Sequence, residues 1–316
     1  MFTTKIDIKP SEFRIDYSSK MVTLGSCFSE NIGSKLKGAY FDIDVNPFGV
    51  LFNPISIKQS LELAVDGKMF TEHDLFQHNS LWNSFYHSSY FSDTDKDKCL
   101  AKINSRLLNF ATSIKSIDYL IITFGTAWVY KHHSNGKVVS NCHKLPASTF
   151  ERYRLSAEEI VEQYTDIIHK LQLINPNIKF IFSVSPVRHW KDGPTENNIS
   201  KGILLQAIQQ LEKEFNNVLY FPAFEIVVDE LRDYRFYASD MLHPSELAVD
   251  YIFSNFQNAF FQSETVSVYN ELVQYAKAIH HKPTHIDTPE YEKFRVSIDA
   301  KRNELINKYS FLKQRL

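Results

Sequence analysis

Met21-Val22-Thr23-Leu24, followed by Gly25-Ser26-Cys27-Phe28-Ser29, reads as a short apolar strand running into a turn that opens with glycine. Beyond it Ile32 and Leu36, with polar residues between them, have the spacing of an amphipathic helix. Two side chains able to act as nucleophiles, Ser26 and Cys27, thus fall on a strand-to-helix turn. Such a turn lifts a side chain above a sheet edge, beside the unpaired N–H groups of a helix start. Acyl transfer needs both an attacking atom and a partial positive charge for an oxyanion. A serine cap on an ordinary helix leaves the same local pattern, so the stretch gains meaning only with a partner elsewhere.

The partner lies near the other end. Asp240-Met241-Leu242-His243-Pro244 precedes a second amphipathic run through Leu247, Ile252 and Phe256. Pro244 suits the first helical position and Glu246 the first turn. The spacing predicts Asp240 and His243 on one side of the turn entering a late helix. There the carboxylate can fix the imidazole tautomer while the other ring nitrogen faces a nucleophile. Between the two motifs, Tyr119–Phe124, Phe180–Val184 and Val218–Phe221 read as short apolar strands, alternating with helical patterns over 156–173 and 199–214. This predicts a parallel sheet covered on both faces, with chemistry at the carboxyl ends of its strands.

Bulk properties narrow the class. A chain of 316 residues can bury one large core. Lys+Arg of 35 against Asp+Glu of 37 argues against electrostatic binding to nucleic acid. Aromatic residues make up 14%, which suits a well-packed globule with an aromatic-lined cleft. Cys27, Cys99 and Cys142 are widely spaced and form neither a disulfide framework nor a zinc set. The pairs His132-His133 and His280-His281 point apart on most backbones, so no metal is expected, and without a Gly-rich phosphate loop no cofactor is expected either. No signal segment or membrane span is visible, which predicts a soluble, cytoplasmic protein. Residues 66–117 read as a polar and aromatic insertion. The expected organisation is one domain over 1–264 and a charged helical extension over 265–316.

The Gly25-Ser26-Cys27-Phe28 stretch with Ser29 resembles the signature of the GSCFA family, a bacterial branch of the SGNH, or GDSL, hydrolase superfamily. Asn46-Pro47-Phe48-Gly49-Val50, Phe124-Gly125-Thr126-Ala127-Trp128, Asn141-Cys142-His143-Lys144, Val184-Ser185-Pro186-Val187 and the stretch from Phe221-Pro222-Ala223 to His243-Pro244 extend the resemblance over roughly residues 20–260. It implies a three-layer α/β/α sandwich with a parallel central sheet and a nucleophile–His–Asp triad. In that register Cys27 takes the nucleophile position and Ser26 the aspartate position of Gly-Asp-Ser-Leu. A turn shifted by one residue would instead make Ser26 the nucleophile, so both are carried with His243 and Asp240 as the catalytic set.

The resemblance also implies oxyanion donors. Gly49 matches the superfamily's second block. In the third block Ala127 stands where an asparagine side chain would donate. Candidate replacements are Thr126, the indole of Trp128, Asn46, Asn141 and His143, with the Asn141–His143 loop preferred for its polarity. Ser185 to Trp190 should form a rim of the cleft, where Arg188 can attract an anion or simply be solvated. The expected activity is an SGNH-type esterase or acyltransferase acting on a small-molecule or carbohydrate acyl ester. The alternative is a non-catalytic binding protein on a degenerate hydrolase scaffold.

Overall fold

The computed structural model describes residues 4–281 and 287–316, so 282–286 of the expected extension lie outside the described residues. β1 (Lys20–Gly25) leads into α1 (Cys27–Gly38), followed by β2 (Asp42–Val45) and α2 (Pro54–Val65). A hairpin of β3 (Phe76–His78) and β4 (Leu81–Asn83) precedes α3 (Lys96–Ser113) and β5 (Tyr119–Phe124). A small antiparallel sheet of β6 (Trp128–His132), β7 (Val138–Val139) and β8 (Phe150–Arg154) comes next, then α4 (Ala157–Ile174). β9 (Lys179–Val184), α5 (Gly193–Glu214), β10 (Val218–Tyr220) and the short α6 (Ala223–Glu225) follow. The chain ends with α7 (Glu246–Phe260), α8 (Ser263–His280) and α9 (Pro289–Lys308).

Five strands pair in the order β10-β9-β5-β1-β2, all parallel. Their side chains alternate between two cores, because successive residues of a strand point to opposite faces. On one face Val22, Leu24, Leu120, Ile122, Phe180 and Phe182 pack with residues of α2, α3, α4 and α5. On the other, Met21, Tyr119, Ile121 and Ile181 pack with residues of α1, α7 and the C-terminal helices. The result is the expected three-layer α/β/α sandwich with a helical C-terminal region. Helix starts obey local chemistry. Ser156 and Glu159 form a capping box at α4, and Asn53 caps α2 ahead of Pro54.

Several elements differ from the sequence reading. β2 was not anticipated: Asp42-Ile43-Asp44-Val45 is a short edge strand carrying two carboxylates. α5 begins at Gly193, not near residue 199, since Pro194 is accommodated in its first turn. Pro244 precedes the late helix instead of opening it. Ser245 is the cap, its hydroxyl accepting from the Ala248 N–H. Within 66–117, Cys99, Ile103, Leu107 and Phe110 of α3 are buried in the same core as Ile122. Among the described residues no helix is long and apolar enough to cross a membrane.

The register places Gly25 beside Thr123, and Thr123 beside Ser183. The carboxyl ends of β1, β5 and β9 therefore form one edge, from which the site is built.

Candidate active site

Backbone geometry explains why Gly25 opens the turn. Its φ is +145°, and a Cβ there would meet the Thr123 carbonyl oxygen at 2.2 Å. The turn is held from three sides. Ser26 N–H donates to Thr123 O at 3.3 Å, Leu51 N–H donates to Gly25 O at 2.8 Å, and Gly25 N–H donates to Asn46 Oδ1 at 3.1 Å.

The two candidate nucleophiles have different surroundings. Ser26 is the N-cap residue of α1, but its hydroxyl makes no cap hydrogen bond and is buried without a partner among the described residues. Cys27 is the first residue of the helix and only half-buried. Burial pushes the Cys27 thiol up. The N–H groups of Phe28 and of Cys27 itself act in the opposite direction, Glu30 adds to the rise, and Lys201 opposes it.

Asp240 and His243 are brought together as the spacing predicts. Asp240 Oδ2 lies 2.6 Å from His243 Nδ1, while Oδ1 accepts the N–H groups of Leu242 and His243 at 3.0 Å each. Those two backbone donors, and then the imidazole, hold the Asp240 carboxyl down at about 2. An ionised carboxylate only accepts, so Nδ1 carries the proton and Nε2 is left basic. Met241 adopts a left-handed conformation with φ 59°, and the Arg188 N–H donates to Leu242 O at 3.2 Å, tying the turn to the loop after β9.

Two buried or half-buried groups that the sequence reading did not single out, Lys201 and His189, sit at the loops after β5 and β9. Lys201, on α5, is fully buried, and Nζ donates to Gly125 O at 2.6 Å and Ser185 O at 2.7 Å. Desolvation lowers it to about 7. A Cys27 thiolate would raise it, and Arg188 lowers it further. His189, read only as rim, is pushed down to about 4, first by burial, then by Lys201 and by His243. Its ring meets Phe52 edge-on at 5.9 Å. Lys201 had a signal in the sequence. It falls in the buried stripe of Asn197, Leu204, Ile208 and Leu211, where a charged residue needs a reason.

α5 also supplies other contacts to these loops. Asn197 Oδ1 accepts the His189 N–H at 2.9 Å, and Ser200 Oγ accepts the Ala127 N–H at 2.8 Å.

The expected donors separate into used and unused groups. The Gly49 N–H donates to Asn46 O at 2.7 Å, closing a tight turn, so the donor expected to face an oxyanion is already engaged. The Thr126 hydroxyl bonds Ser200 Oγ at 3.1 Å, and its N–H donates to Phe52 O. In the preferred loop Asn141 Oδ1 accepts the His143 N–H at 2.8 Å. His143 Nε2 pairs with Ser84 O at 2.9 Å, and the ring packs against Phe76 and Phe85. Ala127 lies within the apolar core. Of the candidates named from sequence, two have a side-chain donor buried without a partner among the described residues: Asn46 Nδ2 and Trp128 Nε1. Trp128 is covered by the Arg152 guanidinium, 4.2 Å from its ring centroid. Asn46 holds the nucleophile turn through its other amide atom, which makes its free N–H pair the better placed of the two.

Open space flanks both motifs. A groove of about 680 Å³ is lined by Glu30, Asn46, Gly49, Phe52, Tyr90 and Asn141 among others. A second, of about 320 Å³, lies against Met241 between Arg188, Trp190, Tyr234 and Tyr237. Among the described residues no group of three or more His, Cys, Asp or Glu is arranged to hold a metal ion.

Residues 20–256 match the GSCFA family. No curated protein matches the chain. Among solved structures, an acetyl xylan esterase, Est2A, from the rumen bacterium Butyrivibrio proteoclasticus is similar at 17% identity and a TM-score of 0.36, over 83% of this chain and 64% of that one. This chain therefore spans less than two thirds of that protein's length. A family 3 carbohydrate esterase of Clostridium thermocellum is similar at 13% identity and a TM-score of 0.33, over 81% of this chain and 98% of that one.

Proposed function

The chain belongs to the GSCFA family, and from that premise we propose that it is an SGNH-type esterase or acyltransferase working through an acyl-enzyme. The observation that carries this reading is the 2.6 Å hydrogen bond from His243 Nδ1 to Asp240, which leaves Nε2 as a base. His243 takes the proton of the Cys27 thiol, and Sγ attacks the ester carbonyl carbon. The oxyanion is met by N–H groups at the start of α1 and by Asn46 Nδ2. His243 then gives its proton to the leaving alcohol as the C–O bond breaks, leaving a thioester on Cys27. Water or a second alcohol, deprotonated by His243, attacks the acyl carbon and releases the thiol. The groove beside Asn46 offers room for such an ester, a small-molecule or carbohydrate acyl ester.

A binding protein on the same scaffold is the second reading, favoured by the engaged N–H of Gly49. Hydrolysis of p-nitrophenyl acetate by the purified chain separates the two. Wild type and Ser26→Ala should turn over, whereas Cys27→Ala and His243→Ala should fall to background. Activity that survives in Cys27→Ala but dies in Ser26→Ala would move the nucleophile to Ser26. No turnover of any short acyl ester by wild type would leave the binding reading.

A further inference from the structure

We propose that the groove beside the Asn46–Gly49 turn is a subsite for a neutral sugar ring, with Tyr90 as its stacking platform. The alcohol half of the ester is then a neutral pyranoside. This deepens, and rests on, the esterase reading. The groove holds about 680 Å³, within the roughly 300–1,000 Å³ of ligand pockets in general. Its lining includes Asn46, which is more than nine-tenths buried. That side chain accepts the Gly25 N–H through Oδ1 and leaves Nδ2 without a partner among the described residues. Glu30, in the first turn of α1, lines the same space. The groove therefore adjoins the turn that carries Cys27.

A lone exposed aromatic ring means little. Tyr90 differs in how its segment is held. It is 80% exposed, yet His87 and Phe91 on either side of it are 1% and 3% exposed. The His87 ring stacks on Phe48 at 5.5 Å and meets Phe91 at 4.9 Å. Between them the Ser88 N–H donates to Phe48 O at 3.3 Å, and Ser88 Oγ fills the space that a Cβ on Gly49 would take. The segment presenting Tyr90 is thus seated on the same turn as Asn46, and a ligand need order little backbone to use the ring. Phe52, 40% exposed, adds a second aromatic surface to the lining, its own carbonyl tied to the N–H groups of Gly125 and Thr126.

The rest of the lining selects the occupant. Ser34, Ser89 and Asn141 are hydroxyl and amide residues, which suit the hydroxyls that edge a pyranose and not a bare acyl chain. Arg106 gives both of its terminal nitrogens to the Asp44 carboxylate, and Glu30 and Lys37 carry opposite charges. No net charge remains to favour an acidic or a basic sugar. A pyranose offers an apolar C–H face to an aromatic ring and hydroxyls around its rim, the pattern this groove complements.

The test is a saturation-transfer NMR titration of the full chain with cellotetraose and mannotetraose, neutral probes without an acyl group. At least one should bind wild type at millimolar concentration. Tyr90→Ala should weaken that binding about tenfold, and Tyr90→Trp should retain it. Trigalacturonic acid, which has similar ring faces but three carboxylates, should bind more weakly than the neutral probe. Failure of both neutral probes, unchanged binding in Tyr90→Ala, or equal or tighter binding of the acidic probe overturns the proposal. Since Tyr90 projects into solvent, its substitution leaves the core intact, and an unaltered circular dichroism spectrum checks this. No readout here involves ester cleavage. Turnover of p-nitrophenyl acetate without sugar binding defeats this inference alone, and Tyr90-dependent sugar binding in a protein that cleaves no ester defeats the esterase reading alone.

Discussion

Replacing Asp240 by Asn alters one atom of the carboxylate and should move a proton on His243. In wild type Oδ1 accepts two backbone N–H groups at 3.0 Å, and Oδ2 accepts from Nδ1 at 2.6 Å. An asparagine has one oxygen, and the two backbone donors claim it. Its NH2 then faces Nδ1 and forces that nitrogen to accept, so the imidazole proton moves to Nε2. A base with its proton on the wrong nitrogen costs on the order of 10⁴ in kcat. The fold should be unaffected, because both side chains are about half-exposed, at 47% and 49%. The assay is p-nitrophenyl acetate turnover against pH, with the ¹⁵N shifts of His243 reporting the tautomer. The pH dependence has a defined sign. Asp240 is depressed from 3.8 to about 2, so its contribution is fully present above about 3.8 and is lost as pH falls through about 2. Acid loss of activity well above that range would therefore not report this carboxylate. Turnover of Asp240→Asn within a few-fold of wild type, together with a flipped tautomer, would refute the role of His243 as base.

Asn46→Ala should lower kcat about a hundredfold if its free amide faces the oxyanion. It also strips the Gly25 N–H of its acceptor, costing about 1–3 kcal/mol in stability by chemical denaturation. Loss of stability without loss of kcat/KM would reduce Asn46 to a clamp. Gly25→Ala and Gly49→Ala should differ sharply. The first drives a methyl into the Thr123 carbonyl and should prevent folding, as judged by circular dichroism. The second meets a movable hydroxyl, Ser88 Oγ at 1.9 Å, with φ +74°, and should cost about 1–3 kcal/mol while remaining folded. Equal effects would mean that backbone packing at Gly25 is not the constraint.

The layers were legible because buried parallel strands are written as short apolar runs, and Tyr119–Phe124 is one of them. β2 was not, since its Asp42 and Asp44 look like loop residues on an edge strand. The Asp240–His243 pair was legible from a spacing of three. Its helix start was misplaced by proline, which the chain uses before the Ser245 cap. Donor assignments fared worst, because a sequence does not show where an N–H is already engaged. Gly49 has the residue type and position expected of a donor, and only its bond to Asn46 reveals the conflict. Lys201 was overlooked, and His189 read only as rim, because pattern reading treats charged residues as solvated, whereas both are desolvated by burial.

One turn of α5 has a mechanical consequence. Asn197, Ser200 and Lys201 hold His189, Ala127, Gly125 and Ser185, so two loops separated by some sixty residues share a single anchor. These loops cannot drift independently. A fluctuation that frees one must unseat the helix segment holding the other, so the edge opens as a unit or stays shut. Precision at this end of the sheet is thus a property of α5, an element that lends no reacting atom, and insertions in either loop are tolerable only where they spare those few attachment points.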